Sequence, residues 1–477
     1  MTETQKIAYN TLAQIIGKAL TIFFALIGFG LMTRYLGQEG FGYFTTIYAF
    51  LAIFGILVDL GLQMTTTKLI SDPKENESLI LSNALTIRLV TSIIFLSLAV
   101  LVGIFLPYPK IVKIGMAVAV IGFIAAALTS TLTSFFQKNL KMQQIAAAEV
   151  LAKIIYLILT IVVIRLDLGL LGILAAAILD SVLIFAFSLT FAKKIVKLKL
   201  SFDPKIWQKI FQTTWPIGLT IALNLIYFKG DIFIMSLIKT PEEVGLYGAP
   251  YKILEVLINI DYLFLGLILP LLATAVALSD LNKLKIIIQS TFNFLIILVI
   301  PMIFGGYFLG VPLMVLMAGP EFAVSGKIIK ILFLATGAIF IAGLFGYVVV
   351  ALGEQKKMIK FYALNAFISI IGYLIFISLY SYWGAAWMTV FTEVFILFTA
   401  AYIMHKKIKF LPNLILAGKA IVASLIMSIP FYFLPDLNFI ILICLGTLVY
   451  FTALYFLKGF DKKTILEIVN IKNDKIN

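Results

Sequence analysis

The sequence predicts an all-α polytopic membrane protein, on three observations. The first is composition: of 477 residues, 62% are hydrophobic and 13% are charged. A soluble protein of this size cannot hide so much apolar surface. The second is run length. The apolar stretches are continuous and about 20 residues long, the length a helix needs to cross a bilayer, and there are about fourteen of them. Because they do not alternate polar and apolar residues, a β-barrel is excluded. The third is the placement of positive charge. With about fourteen spans, the termini and the even-numbered loops share one side. That side carries roughly 24 Lys and Arg, against about 6 in the opposite loops. Lys193, Lys194, Lys197, Lys199, Lys205, Lys209, Lys356, Lys357, Lys406 and Lys407 lie on the first side, and Arg34, Lys110 and Arg165 on the other. This bias predicts that both termini lie in the cytoplasm; the membrane is expected to be the plasma (inner) membrane.

The elements follow in order. Six spans begin near Tyr9, Phe41, Asn83, Ile111, Ala146 and Gly169, and six more near Thr214, Tyr247, Ile286, Ile328, Phe361 and Gly384. A last pair begins near Leu414 and Asn438. The eighth is the weakest, because Lys252, Glu255 and Asp261 interrupt it. The run from Ile7 to Met32 is too long for the core of a signal peptide, and no small-residue cleavage site follows it, so the N-terminus reads as a first span. The net charge of +14 is used up in topology and in contacts with anionic lipid, which argues against nucleic acid as a partner. One cysteine, Cys444 in the last span, allows no disulfide within the chain and suggests no metal site. The single histidine, His405, sits beside Lys406 and Lys407 at a span end and reads as interfacial.

A shift of roughly 200 residues lays the second half on the first. Glu39-Gly-Phe-Gly42-Tyr-Phe44 and Tyr48 match Glu242-Glu-Val-Gly245-Leu-Tyr247 and Tyr251, and Asp59 falls one residue from the equivalent of Asp261. At a slightly larger shift Lys141-Met142 matches Lys357-Met358, and Glu149 matches Asn365. The expected organisation is a lobe of six helices over 1–200, a second over 201–410, and an extra helix pair with a tail over 411–477. An even span number gives the two lobes one orientation, so a pseudo-twofold axis along the membrane normal relates them.

The segment Arg34-Tyr-Leu-Gly37-Gln-Glu-Gly-Phe41-Gly42-Tyr-Phe44, followed by Asp59-Leu60-Gly61, resembles the opening of the polysaccharide (oligosaccharide) flippases of the multidrug/oligosaccharidyl-lipid/polysaccharide exporter superfamily. Phe136-Gln137 with Glu149, Gly353-Glu-Gln355 with Asn365, and Gly384-Ala385-Ala386 with Glu393 extend the likeness over most of the chain. In physical terms Gly37, Gly40 and Gly42 allow a tight turn between two spans, while Arg34 and Glu39 read as interfacial side chains that snorkel or pair. The resemblance implies a V-shaped pair of lobes whose first two spans line a central cavity. It also implies a substrate, a prenyl-(di)phosphate-linked oligosaccharide moved across the membrane by alternating access. Membrane lipids, an H+ or Na+ gradient and polysaccharide-assembly proteins are the further partners it suggests.

Charges inside the spans are the candidates for function, since each costs about 2.5–3.5 kcal/mol on insertion scales. Lys18, Lys229 and Lys252 are placed to meet a lipid phosphate through charge-assisted hydrogen bonds, with Asn224 and Tyr227 adding sugar contacts. Asp59, Asp231 and Glu255 are read as acids for ion or proton coupling, or as charge-pair partners. Lys252 and Glu255, spaced i, i+3, can neutralise each other on one helix face. Arg88, Lys153, Asp180, Lys330, Glu393 and Lys419 rank lower, some of them near span ends. Gly306 and Gly310 have the small-xxx-small spacing of helix packing.

Ser325-Gly326-Lys327 lacks the first glycine and the final hydroxyl of a phosphate loop. The chain carries no His-Glu-x-x-His or nucleophile elbow and no outer-side domain to house glycosyl transfer. No cofactor or metal is expected, and a membrane polysaccharide polymerase is the least favoured alternative. A multidrug or cation antiporter and a flippase for peptidoglycan-precursor lipid are the nearer alternatives.

Overall fold

The computed structural model describes residues 3–459, with the side chains of all of them except 3–12, 216, 217, 219–222 and 224–227. Thirteen α-helices follow one another, with no strand among the described residues: α1 (Glu3–Asp59), α2 (Leu62–Ile70), α3 (Glu77–Phe105), α4 (Lys110–Lys138), α5 (Met142–Arg165), α6 (Gly169–Lys193), α7 (Pro204–Ile238), α8 (Pro241–Ala277), α9 (Leu281–Ala318), α10 (Ala323–Ala351), α11 (Gln355–Ile408), α12 (Ile415–Phe433) and α13 (Phe439–Phe456).

Two of these helices are each a pair of spans. In α1 the helical path breaks at Gly37 (φ 64°, ψ −172°). Phe29 and Phe41 would lie about 18 Å apart on a straight helix, yet their ring centroids are 5.7 Å apart, so the chain doubles back. In α11 the break is at Ser381 (φ 51°, ψ −134°). There Gly372 faces Met388, whose sulfur would lie 2.5 Å from a Cβ at Gly372, where a straight helix would separate them by about 24 Å. Eleven described helices are long and apolar enough to cross a membrane. Counting the two folded ones twice and adding α7 gives the fourteen spans the hydropathy pattern predicts. The interrupted eighth span is one continuous helix, α8, with Pro250 and Pro270 inside it.

The chain divides into two compact units, Met1–Gly248 with Met317–Gly319, and Ala249–Leu316 with Pro320–Asn477. In the first, α1 packs on α4 and α5, and α4 on α3 and α6. Its connections gather at two ends, as alternating spans require. At the Gly37 end, the Tyr35 hydroxyl donates to Asp167 (2.8 Å) and accepts from the Gly169 N–H (2.7 Å), tying the first turn to the α5–α6 link. Tyr108 of the α3–α4 link bonds Ser236 of α7 at 2.8 Å. At the other end, Glu77 at the start of α3 holds Lys138 and Asn139, each at 2.7 Å. Here Asn83 accepts from the N–H of Asp203 at 2.8 Å, and Lys209 pairs with Glu75. The basic links Lys138–Lys141 and Lys193–Lys209 therefore share one end, as the charge bias predicts.

At the Gly37 end the duplication becomes geometry. A Cβ on Gly42 would overlap the carbonyl of Pro241, and a Cβ on Gly245 would overlap the carbonyl of Gln38. Gln38 and Gly42 stand to Pro241 and Gly245 at one and the same offset in the chain. Thr45 and Gly248, equivalent at that offset, touch each other: the Thr45 Cγ2 lies 2.6 Å from a Cβ built on Gly248. Reciprocal contacts with a self-paired position on the axis are the signature of an isologous, twofold-related interface.

In the second unit α10 is the most enclosed helix, buried along most of its length. It packs on α11. A Cβ on Gly306 of α9 would strike the Phe333 ring, and one on Gly310 would lie 2.6 Å from the Gly326 carbonyl. These glycines are therefore where α9 and α10 approach, as their spacing predicts. The hairpin of α12 and α13 closes against α9 around a cavity of about 370 Å3, lined by Pro301, Met302, Gly305, Phe431 and Tyr450 among others. Its walls are almost wholly apolar, so hydrocarbon chains fill it more favourably than water.

Candidate functional site

Each charge singled out in the spans has a definite setting. In the first unit, Lys18 stands 3.8 Å from Glu149, both half-buried. The first limb of α1 packs along α5, which sets the two side chains opposite one another. Glu149 was visible in the sequence through the family pattern and the duplication; its charge partner lies 131 positions upstream, too far for any local spacing rule to show.

Asp59 ends the second limb of α1. Its Oδ1 lies 2.7 Å from the Arg88 guanidinium, and its Oδ2 accepts from the Gly61 N–H at 3.1 Å. Leu60 and Gly61 both have positive φ, 39° and 84°, so Asp59-Leu60-Gly61 forms a left-handed break between α1 and α2. A carboxylate at such a break caps a free N–H and offsets a charge on the adjoining helix. On sequence alone Arg88 ranks low, in a group of which some members lie near span ends, where long side chains reach water. Instead it is 1% exposed. It also donates to the Thr131 hydroxyl (3.1 Å) and the Val58 carbonyl (3.0 Å). Periodicity alone could not separate a snorkelling arginine from a buried one, because the deciding contacts come from α1 and α4.

Asp231 is fully buried on α7 and accepts from the Tyr247 hydroxyl at 2.7 Å. Lys229, two residues earlier and half-buried, has its ammonium 5.5 Å from the Phe228 ring centroid. The two side chains thus have different surroundings. Lys153 and Asp180 pair at 2.6 Å between α5 and α6. Asn224 and Tyr227 lie outside the described side chains.

In the second unit Lys252 and Glu255 form the i, i+3 pair that their spacing allows, at 3.0 Å, and Asn259 donates to the Glu255 carbonyl at 2.8 Å. The Arg34 and Glu39 side chains of the glycine-rich turn serve structure. Arg34 donates to the carbonyls of Gly30 (3.0 Å) and Met317 (3.2 Å), and Glu39 accepts from Tyr43 at 2.6 Å.

The fold is that of a polytopic membrane protein, with charged side chains set inside its spans. Over 97% of its length the chain superposes on a solved lipid II flippase, MurJ, in an inward closed conformation, covering 100% of that structure with a TM-score of 0.71 at 18% identity. It also resembles an inward-facing multidrug resistance transporter of the MATE family, of the MOP superfamily, over 84% of this chain and 98% of that one, with a TM-score of 0.66 at 13% identity. At such identities the likeness concerns the fold. The family model described as "Polysaccharide biosynthesis protein" matches residues 4–276, more than half of the chain, and the protein belongs to that family. It is 23% identical over 375 residues to a protein of Shigella dysenteriae described as an O-antigen transporter, covering 76% of this chain and 91% of that one.

Proposed function

We propose that the protein is a flippase that moves a prenyl-(di)phosphate-linked oligosaccharide from the cytoplasmic to the outer leaflet of the plasma membrane for surface polysaccharide assembly. The observation that carries it is the family membership, joined to the half-buried lysines Lys18 and Lys229 at membrane depth. A phosphate crossing hydrocarbon unaided costs tens of kcal/mol as an isolated ion; cationic side chains in a wet path offset that cost. The basic end of the first unit faces the cytoplasm in this reading, and both termini lie there. The protein acts as a transporter and not as a catalyst.

Lys18 and Lys229 are the proposed phosphate contacts in the first lobe (1–200) and at the start of the second (201–410), Lys252 is a further proposed contact, and Asn224 and Tyr227 are proposed sugar contacts. Glu149 holds Lys18 ready between substrates, and the lipid phosphate competes with it; at 3.8 Å and half-exposed this pair is weak enough to exchange. Asp59, Asp231 and Glu255 act as partners that hold Arg88, Tyr247 and Lys252 in place. The isologous contact of the two glycine turns is the closed side of the cycle, and its opening releases the lipid outward. Assembly proteins that receive the glycan complete the set of partners.

Vesicles containing the protein and fluorescent prenyl-linked sugars test the reading. Leaflet exchange should be rapid with the protein and should fall at least tenfold in Lys18→Ala or Lys229→Ala at equal expression. Export of a cationic drug without exchange of any phosphate-linked lipid would refute it.

A further inference from the structure

The acids described in the spans of the first unit have their partners: Asp59 has Arg88, Glu149 has Lys18, Asp180 has Lys153 and Asp231 has Tyr247. Glu255 of the second unit has Lys252. Asp261 does not fit this pattern. It sits midway along α8 with 1% of its surface exposed, and neither carboxyl oxygen has a hydrogen-bond partner. Its Oδ2 lies 2.9 Å from where a Cβ would stand on Gly343 of α10, so the missing side chain of that glycine makes the room the carboxyl occupies.

The duplication explains how the site arose. Asp261 is the near-equivalent of Asp59, whose charge is met by Arg88 of α3. The stretch of α9 at the same offset from Arg88 reads Gln289-Ser-Thr-Phe292 and carries no cation. In the same way Asn365 is the equivalent of Glu149, and it is fully buried with both amide atoms unpartnered. The second lobe thus keeps the polar groups of the first and lacks the cations that neutralise them there. The titratable groups within electrostatic reach of Asp261 are Tyr347 on α10 and Tyr262 beside it; Tyr262 is in turn reached by Tyr362 and Glu393 of α11. None of these four brings a positive charge.

An ionised carboxylate in that setting costs far more than the alternative, which is to take up a proton and become neutral. We propose that Asp261 is a proton-binding site of the second lobe. Its carboxyl is protonated in the conformation described, and it yields the proton when a change of conformation brings water to α8. The step is a plain proton exchange: the carboxylate gains H+ from water on one side and returns H+ to water on the other, with no other bond altered. Coupling of this exchange to transport rests on the flippase reading, whereas the protonation itself does not.

Infrared difference spectra of the full-length protein in lipid, taken between neutral and alkaline pH, test the site. A protonated-carboxyl stretch should be present in wild type at neutral pH and lost in Asp261→Asn. The same band persisting in that variant overturns the assignment. Gly343→Ala pushes a methyl group toward Oδ2 and should shift the band while the carboxyl remains, which decides the matter should Asp261→Asn not fold. Sodium added at constant pH should leave the band in place; its loss would mean a metal cation takes the site instead. In vesicles carrying prenyl-linked sugars, a tenfold pH gradient should accelerate wild-type exchange several-fold and leave Asp261→Asn indifferent. A variant that responds like wild type overturns the coupling. A band at Asp261 with no lipid exchange at all keeps the site and removes the flippase reading.

Discussion

Arg88 and Asp59 show what a buried ion pair commits a membrane protein to. The guanidinium is almost wholly enclosed, and its contacts with Asp59, Thr131 and Val58 replace part of the water it has lost, with Nη2 left unbonded. Removing one member of such a pair strands the other. Asp59→Asn is expected to destabilise the protein by about 3 kcal/mol, the lower part of the range for buried pairs because Asp59 is itself one-third exposed. Arg88→Met should cost less, since the remaining carboxylate reaches water and still caps Gly61. The double variant should recover most of the loss. Thermal unfolding in detergent measures all three, and a double variant as unstable as the sum of the singles would show that the two residues act independently. The Lys18–Glu149 pair is a contrasting case: half-exposed and long, it contributes well under 1 kcal/mol to stability. Glu149→Gln is therefore expected to leave the melting temperature almost unchanged while altering the affinity for a phosphate-linked lipid.

Among the elements, the two folded helices carry the sharpest demands on sequence. Gly37 adopts a left-handed conformation that suits glycine, and Gly42 meets the Pro241 carbonyl where no Cβ fits. Gly42→Ala must drive the two turns apart. It is expected to cost at least 2 kcal/mol and to raise the accessibility of a cysteine placed at Gln38, measured by thiol labelling. Gly40→Ala should cost less than Gly42→Ala, because its Cβ would meet no backbone carbonyl and only the Leu36 side chain, whose own Cβ lies 3.0 Å away. A second element-scale device is the α10–α11 link. Glu354 accepts from Lys357 at 2.6 Å and from Lys407 at 2.9 Å, joining the start of α11 to its end. First the Lys357 hydrogen bond and then that of Lys407 hold the Glu354 carboxyl below its ordinary value. A depressed value means that the stabilising contribution is complete above the ordinary glutamate range and is lost as pH falls through the lowered one. Hydrogen exchange in the link should therefore stay slow through mildly acidic pH and quicken only in stronger acid. Glu354→Gln should exchange quickly at every pH.

At the scale of the whole molecule, the repeat organises everything else. Equivalent segments meet at Gln38, Gly42 and Thr45 with Pro241, Gly245 and Gly248, and the contact is reciprocal. The two units differ in their charges: the first sets Arg88 on Asp59 and Lys153 on Asp180, while the second leaves Asp261 and Asn365 without hydrogen-bond partners. Such asymmetry is what a transporter of a charged lipid needs if one lobe is to hold substrate and the other is to answer a gradient. Restoring the symmetry is a whole-molecule test. Thr291→Arg, which places a cation on α9 near the position equivalent to Arg88, is expected to abolish the dependence of exchange on pH while leaving the protein in the membrane, as read by vesicle assay and surface labelling.

Much of this was legible in the chain. Hydrophobic run length and the bias of lysine and arginine fix the number of spans and their alternation, because bilayer thickness and backbone hydrogen bonding leave little freedom. The glycine turn and the faint duplication mark where two equivalent segments meet, and Lys252 with Glu255 was readable as a pair because helical spacing is local. The pairing of Asp59 with Arg88, of Lys18 with Glu149 and of Lys153 with Asp180 was decided by tertiary structure, since each joins helices far apart in sequence. So was the isolation of Asp261: in the sequence it is one more interruption of a weak span, and only the packing of α8 against Gly343 shows a carboxyl enclosed without a donor. A sequence records which charges enter a membrane, whereas the three-dimensional neighbours determine which of them are neutralised there.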